Sequence, residues 1–588
     1  MDQQTDRLPA SECHFKTHDD VELFYRHWPA RGERRGAVLM FHRGHEHSGR
    51  IGHLVEELDL ENFDFFAWDA RGHGHSPGDR GFSPSIGTSV RDVQTFIDHI
   101  RDQHDIAHAD MVVLAQSVGA VLIATWAHDY APQVKALVLA SPAFRVKLYI
   151  PFARHGLRLM HKLRGNFFVN SYVKAKFLTH DAERQASYDS DPLIARAISV
   201  NILLGLYDAA ERVVADAGAI TIPIQLLISG ADWVVEKKPQ HDFFDNLGSA
   251  VKEKHLLDGF FHDTLGEDGR ERATSLVRDF ILRQFDEPAP VVDLNDADKT
   301  GYTFDEARRL TEPLSDGSLK GWWWKTYRKG LNWAGMVSEG ISLGQRTGFD
   351  SGSTLDYIYR NEARGTGFIG RLVDRNYLDA IGWRGIRQRK VNLEELIRHA
   401  IARVSEAGQP VKVLDIAAGH GRYVLDALTA PGPKADSILL RDYSDINVRN
   451  GRSLITEHGL GDIARFEKGD AFDTDSVASA QPGTTVGIVS GLYELFPDND
   501  LVRSSLAGLA QTIEPGGYLL YTGQPWHPQL EMIARALTSH RHGQAWVMRR
   551  RTQAEMDQLV REAGFEKLQQ RIDEWGIFTV SMARRNKQ

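Results

Sequence analysis

The chain has 588 residues, of which 42% are hydrophobic and 25% charged, so it is long enough for two or three domains with cores of their own. Its formal net charge of −9 at pH 7 disfavours a general nucleic-acid binder. Cys13 is the single cysteine, which excludes an intramolecular disulfide and a thiolate metal cluster.

The N-terminal stretch from Met1 to Arg7 is polar and does not resemble a signal peptide. No uninterrupted apolar run approaches the ~18 residues that a membrane span needs. These features predict a cytoplasmic protein.

Strand and helix signals alternate through the first half of the chain. A hairpin is predicted over 15–28, and short apolar runs bounded by turn residues predict buried strands over 36–41, 63–68, 136–140 and 224–229, with another from Met111. This alternation predicts an α/β fold in which helices cover a mostly parallel sheet. Active loops are then expected at the carboxyl ends of the strands.

Ser117 directly follows the strand that begins at Met111, at a sharp turn between the small residues Ala115 and Gly119. A nucleophile elbow needs such neighbours, because strand and helix backbones approach closely there. The usual pattern is G-x-S-x-G, and Ala115 replaces its first glycine. A serine between small residues is more often an ordinary turn, so the remaining motifs decide the interpretation.

Five segments carry a resemblance to the α/β-hydrolases of the monoacylglycerol lipase and lysophospholipase group over residues 12–285. They are 42–50, 69–76, the turn at Ser117, 230–232 and 259–262. The resemblance implies a triad of Ser117, Asp232 and His262, in the chain order of this fold. It also implies an oxyanion hole formed by the backbone N–H groups of Gly44 and Val118.

Two residues depart from the group's H-G-x-G-E-H pattern. Arg43 and His45 stand where glycines are expected, which puts the shape of the oxyanion loop in question. The nearby histidines could suggest a metal site, but they fall on hydrolase loop motifs, so no metal is expected. These are His42, His45, His47, His73 and His75.

A lid is expected over about 143–215, between the elbow and the acid. From Tyr130 to His180 there is no Asp or Glu, whereas basic and apolar residues alternate. This composition is typical of an element that faces anionic lipid. The alternative is a solvated helical face that pairs with acids elsewhere. The basic residues are Lys135, Arg145, Lys147, Arg154, Arg158, Lys162, Arg164, Lys174 and Lys176.

Residues 286–320 are rich in Pro, Asp and Gly and are predicted to be a linker, with a short helix over 304–310. A largely helical extension is predicted over 321–400. Its Trp322–Trp324 run is expected to pack against a domain rather than to anchor at an interface. The loops at 347–352 and 356–361 suggest no mechanism.

A second parallel sheet begins near residue 411. Its first strand ends at Asp415, and the small residues Ala417, Gly419 and Gly421 lead into a helix. Such a loop permits close approach of a nucleotide-like ligand. Asp442 ends the next strand, where a carboxylate can accept both ribose hydroxyls. NAD would fit equally well at this stage, except that the loop is not G-x-G-x-x-G.

Later motifs at Asp470, Ala471 and Ser490 complete a resemblance to class I S-adenosylmethionine-dependent methyltransferases over 401–588. Residues 320–588 resemble, more narrowly, an uncharacterised methyltransferase family fused behind such hydrolases. The resemblance implies a Rossmann-like domain that binds S-adenosylmethionine. Tyr493 and Glu494, after the fourth strand, are the candidates for the methyl-acceptor side, or else are structural.

The sequence therefore predicts a bifunctional enzyme, a serine esterase of acyl glycerolipids or other small esters joined to a methyltransferase. No nucleic-acid partner is expected, and the lid suggests peripheral contact with the anionic inner membrane surface. One alternative is an active methyltransferase with a non-catalytic, lipid-binding hydrolase-like domain. Another is a hydrolase of non-lipid esters or peptides.

Overall fold

The computed structural model describes residues 9–147, 152–171, 173–287, 289–315, 317–432, 434–541 and 543–587. The chain divides into two compact units, Met1–Val292 and Asp293–Gln588. Both are α/β units with a predominantly parallel sheet, as the sequence predicted. No helix in the described ranges combines the length and apolar character that crossing a membrane requires.

The first unit contains an eight-stranded sheet in the order β1-β2-β4-β3-β5-β6-β9-β10. Only the β1–β2 and β2–β4 pairs of this sheet are antiparallel. The central strands are entirely buried because helices cover both faces, which explains their largely apolar composition. The strands are β1 Ser11–Lys16, β2 Glu22–Trp28, β3 Gly36–Phe41, β4 Phe63–Trp68, β5 Met111–Gln116, β6 Ala136–Ala140, β7 Phe168–Asn170, β8 Ala197–Ser199, β9 Ile224–Ser229 and β10 Lys252–Leu257.

The stretch between β6 and β9 lies outside the main sheet. Its described residues contain three α-helices, and β7 and β8 pair there as a separate antiparallel ribbon. The helices of the unit are α1 Leu54–Glu57, α2 Ile86–His104, α3 Val118–Tyr130, α4 Ala153–Arg164, α5 Ala182–Ser190, α6 Val200–Ala215, α7 Lys238–Asn246 and α8 Glu271–Asp286.

The second unit contains a seven-stranded sheet in the order β13-β12-β11-β14-β15-β17-β16. Its first five strands are parallel and β17 runs antiparallel to both neighbours, which is a Rossmann-like arrangement. The strands are β11 Lys412–Asp415, β12 Ser437–Asp442, β13 Ala464–Lys468, β14 Thr484–Val489, β15 Ile513–Gly523, β16 Phe565–Ile572 and β17 Thr579–Arg585.

Helices precede and flank this second sheet. The 26-residue α14 packs along it and supplies core residues, among them Leu396, Ile397 and Ala400. The helices are α9 Tyr302–Thr311, α10 Leu319–Gly335, α11 Glu339–Thr347, α12 Gly352–Arg360, α13 Gly367–Leu378, α14 Ile381–Glu406, α15 Arg422–Thr429, α16 Asp445–Glu457, α17 Thr474–Ala478, α18 Asn499–Thr512, α19 Leu530–Ala536 and α20 Gln553–Glu562.

Two predictions for the region before β11 differ from the structure. The stretch predicted as a linker is partly held on the second unit: the Leu294 N–H donates to Gln558 (3.0 Å), and the Asn499 N–H donates to Asp298 (2.8 Å). The packing expected for the tryptophan run is wrong for two members, since Trp322 is 63% exposed and Trp323 is 56% exposed. The first difference comes from contacts between residues more than 200 positions apart in the chain.

Candidate active sites

Ser117 lies between β5 and α3 with a φ of 55°, the strained turn that a nucleophile elbow requires. A Cβ at Gly119 would lie 2.4 Å from the carbonyl oxygen of His42, so no larger residue fits there. Ala115, in the position of the usual first glycine, is buried in β5 beside Phe41. The turn therefore forms without that glycine.

The three triad candidates, which are far apart in the chain, form one hydrogen-bonded line. Ser117 Oγ lies 2.7 Å from His262 Nε2, and His262 Nδ1 lies 2.8 Å from Asp232 Oδ2. The other carboxylate oxygen of Asp232 accepts the N–H groups of Val234 (2.7 Å) and Val235 (2.9 Å). Burial alone would raise the pKa of Asp232, but the His262 contact and these N–H groups hold the pKa below its usual range. This carboxylate can therefore orient the imidazole and stabilise its cation.

The two departures in the oxyanion loop have structural explanations. Arg43 is buried in an ion pair with Glu46 (2.7 Å) and lies 3.8 Å from Asp263. His45 adopts the left-handed conformation that glycine would favour (φ 57°), and its Nδ1 lies 2.5 Å from the carbonyl oxygen of Ala195. Burial lowers the pKa of His45 to about 4, so it is neutral near pH 7.

Gly44 lies next to the elbow, since a Cβ there would be 3.0 Å from Val118 Cγ2. Gly44 and Val118 both line a cavity of about 480 Å³ that also contains Ser117 and His262. The two residues predicted to form the oxyanion hole therefore lie beside Ser117.

Most of the histidines in these loops have partners within the protein. His42 Nδ1 lies 2.7 Å from the Arg43 carbonyl, and its Nε2 accepts the Ala70 N–H. His47 Nε2 lies 2.9 Å from Asp191, and His73 Nδ1 lies 2.9 Å from the Arg71 carbonyl. These contacts give the three histidines structural roles.

The stretch between β6 and β9 supplies much of the apolar wall of the cavity. Its side chains include Leu157, Met160, Leu178, Ile202, Leu203 and Leu206. A long apolar group could be enclosed directly above Ser117.

Some of the basic residues in this stretch form ion pairs with acidic residues. Arg154 pairs with Asp208 (2.8 Å) and with Glu211, and Arg158 also pairs with Asp208. The alternative prediction, that the basic face pairs with acids elsewhere in the fold, is therefore correct for these two arginines. Within the described ranges Lys162 and Arg164 form no ion pair. The apolar residues Leu148, Tyr149, Ile150 and Tyr172 lie outside the described residues.

In the second unit, β11 ends at Asp415 and a tight loop leads into α15. Gly419 (φ 59°) and Gly421 (φ 77°) take left-handed conformations, and a Cβ at Gly421 would lie 2.5 Å from Leu440 Cδ1. Asp415 is buried, accepts the Tyr423 hydroxyl (2.6 Å) and is not among the residues that line the adjacent cavity. Burial raises the pKa of Asp415 to about 7. Its position indicates a role in shaping the loop.

The other predicted nucleotide-site residues meet in a cavity of about 670 Å³. Asp442 accepts the Gly419 N–H (2.9 Å), the Ser444 N–H (2.8 Å) and Asn447 Nδ2 (2.9 Å), while burial raises its pKa. The hydroxyl of Ser490 is buried without a hydrogen-bond partner in the described structure. The predicted residues that line the cavity are Ala417, Gly419, Gly421, Asp442, Asp470, Ala471 and Ser490.

The two segments that suggested no mechanism contribute to this same cavity. The loop prediction for 356–361 is wrong, because this segment lies in α12 and its C-terminal cap. Gly352, Ser353 and Asp356 line it, and Asp356 pairs with Arg422 of α15 at 2.5 Å. A Cβ at Gly352 would lie 2.7 Å from Asn447 Oδ1, so a glycine lets α12 approach α16 without displacing that side chain. In the sequence, the glycines within 347–352 were the feature that could have indicated this contribution to the cavity.

The side chains of the adjacent residues Tyr493 and Glu494 lie in different environments. The Tyr493 hydroxyl donates to Ser505 (2.9 Å) inside the core, so Tyr493 is not placed on the acceptor side. Glu494 lines a second cavity of about 590 Å³, which shares Arg389, Gly491 and Leu495 with the first. Apart from Asp350 of the 347–352 segment, no sequence motif pointed to the other charged, amide and imidazole residues that line this cavity. These are Asn376, Asp379, Arg389, Gln524, His527 and Gln529.

Comparison with known proteins identifies the family of each unit. Residues 277–585, just over half of the chain, match the family described as "Putative methyltransferase". The chain belongs to this methyltransferase family. Residues 32–269 match the family described as "Serine aminopeptidase, S33". The chain is thus an α/β-hydrolase unit fused to a methyltransferase-family unit.

Relatives cover either the whole chain or its first unit. The Escherichia coli (strain K12) protein titled "Uncharacterized protein YnbC" is 56% identical over 584 residues, 99% of both chains. The Mus musculus monoglyceride lipase is 27% identical over 42% of this chain and 82% of its own. The Mycolicibacterium smegmatis monoacylglycerol lipase is 24% identical over 46% of this chain and 97% of its own. The hydrolase unit is therefore related to lipases.

Proposed function

We propose that the first unit is a serine ester hydrolase that acts on acyl glycerolipids. The observation that supports this best is the hydrogen-bonded line of Ser117, His262 and Asp232 beneath an apolar cavity. The relationship to monoacylglycerol lipases favours an acylglycerol ester as the substrate class.

The geometry supports a two-step acyl transfer. Ser117 Oγ attacks the ester carbonyl carbon while its proton passes to His262 Nε2. The N–H groups of Gly44 and Val118 stabilise the oxyanion, and the acyl chain lies in the cavity. His262 then protonates the departing alcohol, and the same imidazole activates the water that releases the acid.

Labelling with a fluorophosphonate tests the nucleophile, because only an activated serine reacts. We expect labelling of the native protein and of Ser190→Ala, whose serine is exposed, but not of Ser117→Ala. An unlabelled native protein would favour the alternative of a non-catalytic, lipid-binding unit. Faster hydrolysis of peptide amides than of monoacylglycerols would favour the peptidase alternative that the matched family's description raises.

We infer that the second unit is an S-adenosylmethionine-dependent methyltransferase. The residues fit the cofactor: glycines open the loop after β11, Asp442 can accept ribose hydroxyls, and the buried Ser490 hydroxyl is without a partner in the described structure. When bound, the cofactor supplies a methyl group on a sulfonium, which leaves a neutral sulfide after transfer. Calorimetric titration of the full chain tests this; binding of NAD in preference would contradict it.

We also propose that the hydrolase unit docks reversibly on anionic membrane through α4. Phe152 at its start and Leu159 and Leu163 within it are 84%, 60% and 77% exposed, and Lys162 and Arg164 accompany them. Such an amphipathic helix is typical of interfacial binding. Co-sedimentation with anionic vesicles at low salt tests this, and native protein that stays in the supernatant would refute it.

A further inference from the structure

The 590 Å³ cavity of the second unit, here called the acceptor cavity, adjoins the proposed cofactor cavity. Asp350, Leu355, Arg389, Gly491 and Leu495 line both. A molecule held in the acceptor cavity could therefore reach a group held in its neighbour, which is the arrangement that a direct transfer needs.

The wall of the acceptor cavity is mainly apolar. It includes the aromatic side chains Tyr327, Tyr377, Trp383, Trp546 and Phe578, with Met532 and Met548. Methionine and flat rings can pack around ligands of irregular shape. The body of the ligand should therefore be apolar.

The buried charged, amide and imidazole residues of the lining are Asp350, Arg389, Glu494, Gln524 and His527, whereas Asn376 and Asp379 are exposed. Asp350 already accepts the Ser539 hydroxyl and the His540 N–H. One carboxylate oxygen of Glu494 accepts the Thr522 hydroxyl (2.8 Å) and lies 3.6 Å from Arg389, whereas the other is buried and accepts no hydrogen bond in the described structure. Buried carboxylate oxygens normally accept hydrogen bonds. Glu494 therefore has room for a donor supplied by a ligand.

Two further lining residues offer hydrogen-bond donors. The Nε2 group of Gln524 is buried and has no partner in the described structure. His527 Nδ1 accepts the Gln529 N–H (3.0 Å), which places the proton of the neutral ring on Nε2. Burial lowers the pKa of His527 to about 4, so the ring is neutral near pH 7.

The charges of this site select among nucleophiles. A carboxylate ligand would be repelled by Glu494 and by the other lining carboxylates, Asp350 and Asp379. An ammonium would be attracted by Glu494, but the buried Arg389 guanidinium, 3.6 Å from that carboxylate, already balances its charge and would repel the ammonium. A neutral hydroxyl can donate to Glu494 and accept from Gln524 or His527 without adding a charge.

We propose that the acceptor cavity binds an amphiphilic alcohol or phenol and that Glu494 is the base for its O-methylation. This rests on the methyltransferase function proposed above. The O–CH₃ bond forms as the bond between sulfur and methyl breaks, and the hydroxyl proton passes to the free oxygen of Glu494. The products are a methyl ether, S-adenosylhomocysteine and a protonated Glu494, which releases its proton to water.

Exposed apolar side chains outside the cavity also favour an amphiphilic ligand. Tyr327 and Gly330 of α10 and Val373 of α13 line the cavity. The same two helices and the turn after α10 expose apolar residues to solvent. These are Trp322, Trp323, Trp333, Met336, Phe368, Ile369 and Leu372. An amphiphile could approach along this apolar surface.

The test is calorimetric titration of the full chain at pH 8, saturated with S-adenosylhomocysteine, using octan-1-ol, octanoate and octylammonium. We expect octan-1-ol to bind at least about tenfold more tightly than either charged analogue. Equal binding of the three, or preference for octanoate, would overturn the proposal.

A blocking variant separates this cavity from the hydrolase cavity. A Cβ at Gly330 would meet no heavy atom within 4 Å, so Gly330→Phe should fold and obstruct the cavity. We expect it to lose the octan-1-ol binding; binding equal to that of the native protein would overturn the proposal.

Variants at Glu494 then test the base. Glu494→Gln should bring octanoate to within about threefold of octan-1-ol, while Glu494→Asp should keep the preference for the alcohol. The matched control is Glu362→Gln, an exposed glutamate paired with Arg364, which should change nothing. Unaltered selectivity in Glu494→Gln would overturn the role of this carboxylate.

S-adenosylhomocysteine binding is a separate readout of folding, because Glu494 does not line the cofactor cavity. Failure of the native protein to bind it would refute the methyltransferase function. Failure of the alcohol preference alone would refute only the acceptor class.

Discussion

Replacing the two exposed leucines of α4 by glutamine should weaken membrane docking without impairing the triad. Fully burying a leucine side chain stabilises by about 1.5–3 kcal/mol. Leu159 is 60% exposed and Leu163 is 77% exposed, so their transfer into the interface contributes about 2–4 kcal/mol together. The double variant Leu159→Gln/Leu163→Gln should therefore lower the vesicle partition coefficient by about 30- to 1,000-fold.

The assay is co-sedimentation with vesicles of anionic lipid over a range of lipid concentrations. Leu256→Gln is the matched control, because Leu256 is also an exposed leucine but belongs to β10. Hydrolysis of a water-soluble ester should be unchanged in both variants, since neither alters Ser117 or His262. An unchanged partition coefficient for the double variant, or an equal loss in the control, would refute the reasoning.

Three further changes have defined outcomes. Asp442→Ala should weaken S-adenosylmethionine binding by roughly 1–3 kcal/mol in calorimetry, because a buried ligand hydroxyl loses its acceptor; undiminished affinity would contradict this role. Lys162→Gln/Arg164→Gln should reduce binding to anionic vesicles at low salt by roughly 1 kcal/mol per residue, and the difference should shrink at high salt. The pKa of Asp415 is higher in the folded protein than in the unfolded chain, so protonation of Asp415 stabilises the folded state. This stabilisation is complete below about pH 4 and is lost as the pH rises through about 7. Urea unfolding should show Asp415→Asn gaining stability relative to the native protein from pH 5 to pH 8; parallel pH profiles would exclude this.

The sequence predicted the strands that are buried on both faces. The runs at 36–41, 63–68, 136–140 and 224–229 match β3, β4, β6 and β9 to the residue, because a strand buried between two helical layers is mostly apolar. β10 was not predicted. It lies at the sheet edge, reads Lys-Glu-Lys-His-Leu-Leu and is half-buried, so it lacks the apolar run.

The order of the triad motifs was also visible in the chain, because each motif has a local signature. The distances were not, since 145 positions separate Ser117 from His262. Likewise, composition showed an acid-free basic segment but could not show that Asp208 and Glu211 of α6 neutralise two of its arginines.

Only the tertiary structure shows which side chains line the acceptor cavity. Tyr493 and Glu494 are adjacent, yet one side chain enters the core and the other lines the cavity. Arg389 lies in α14 and Gln524 directly follows β15, and neither residue belongs to a sequence motif. Their meeting depends on how α14 packs along the sheet, because a cavity is formed by side chains that are neighbours in space and not in sequence.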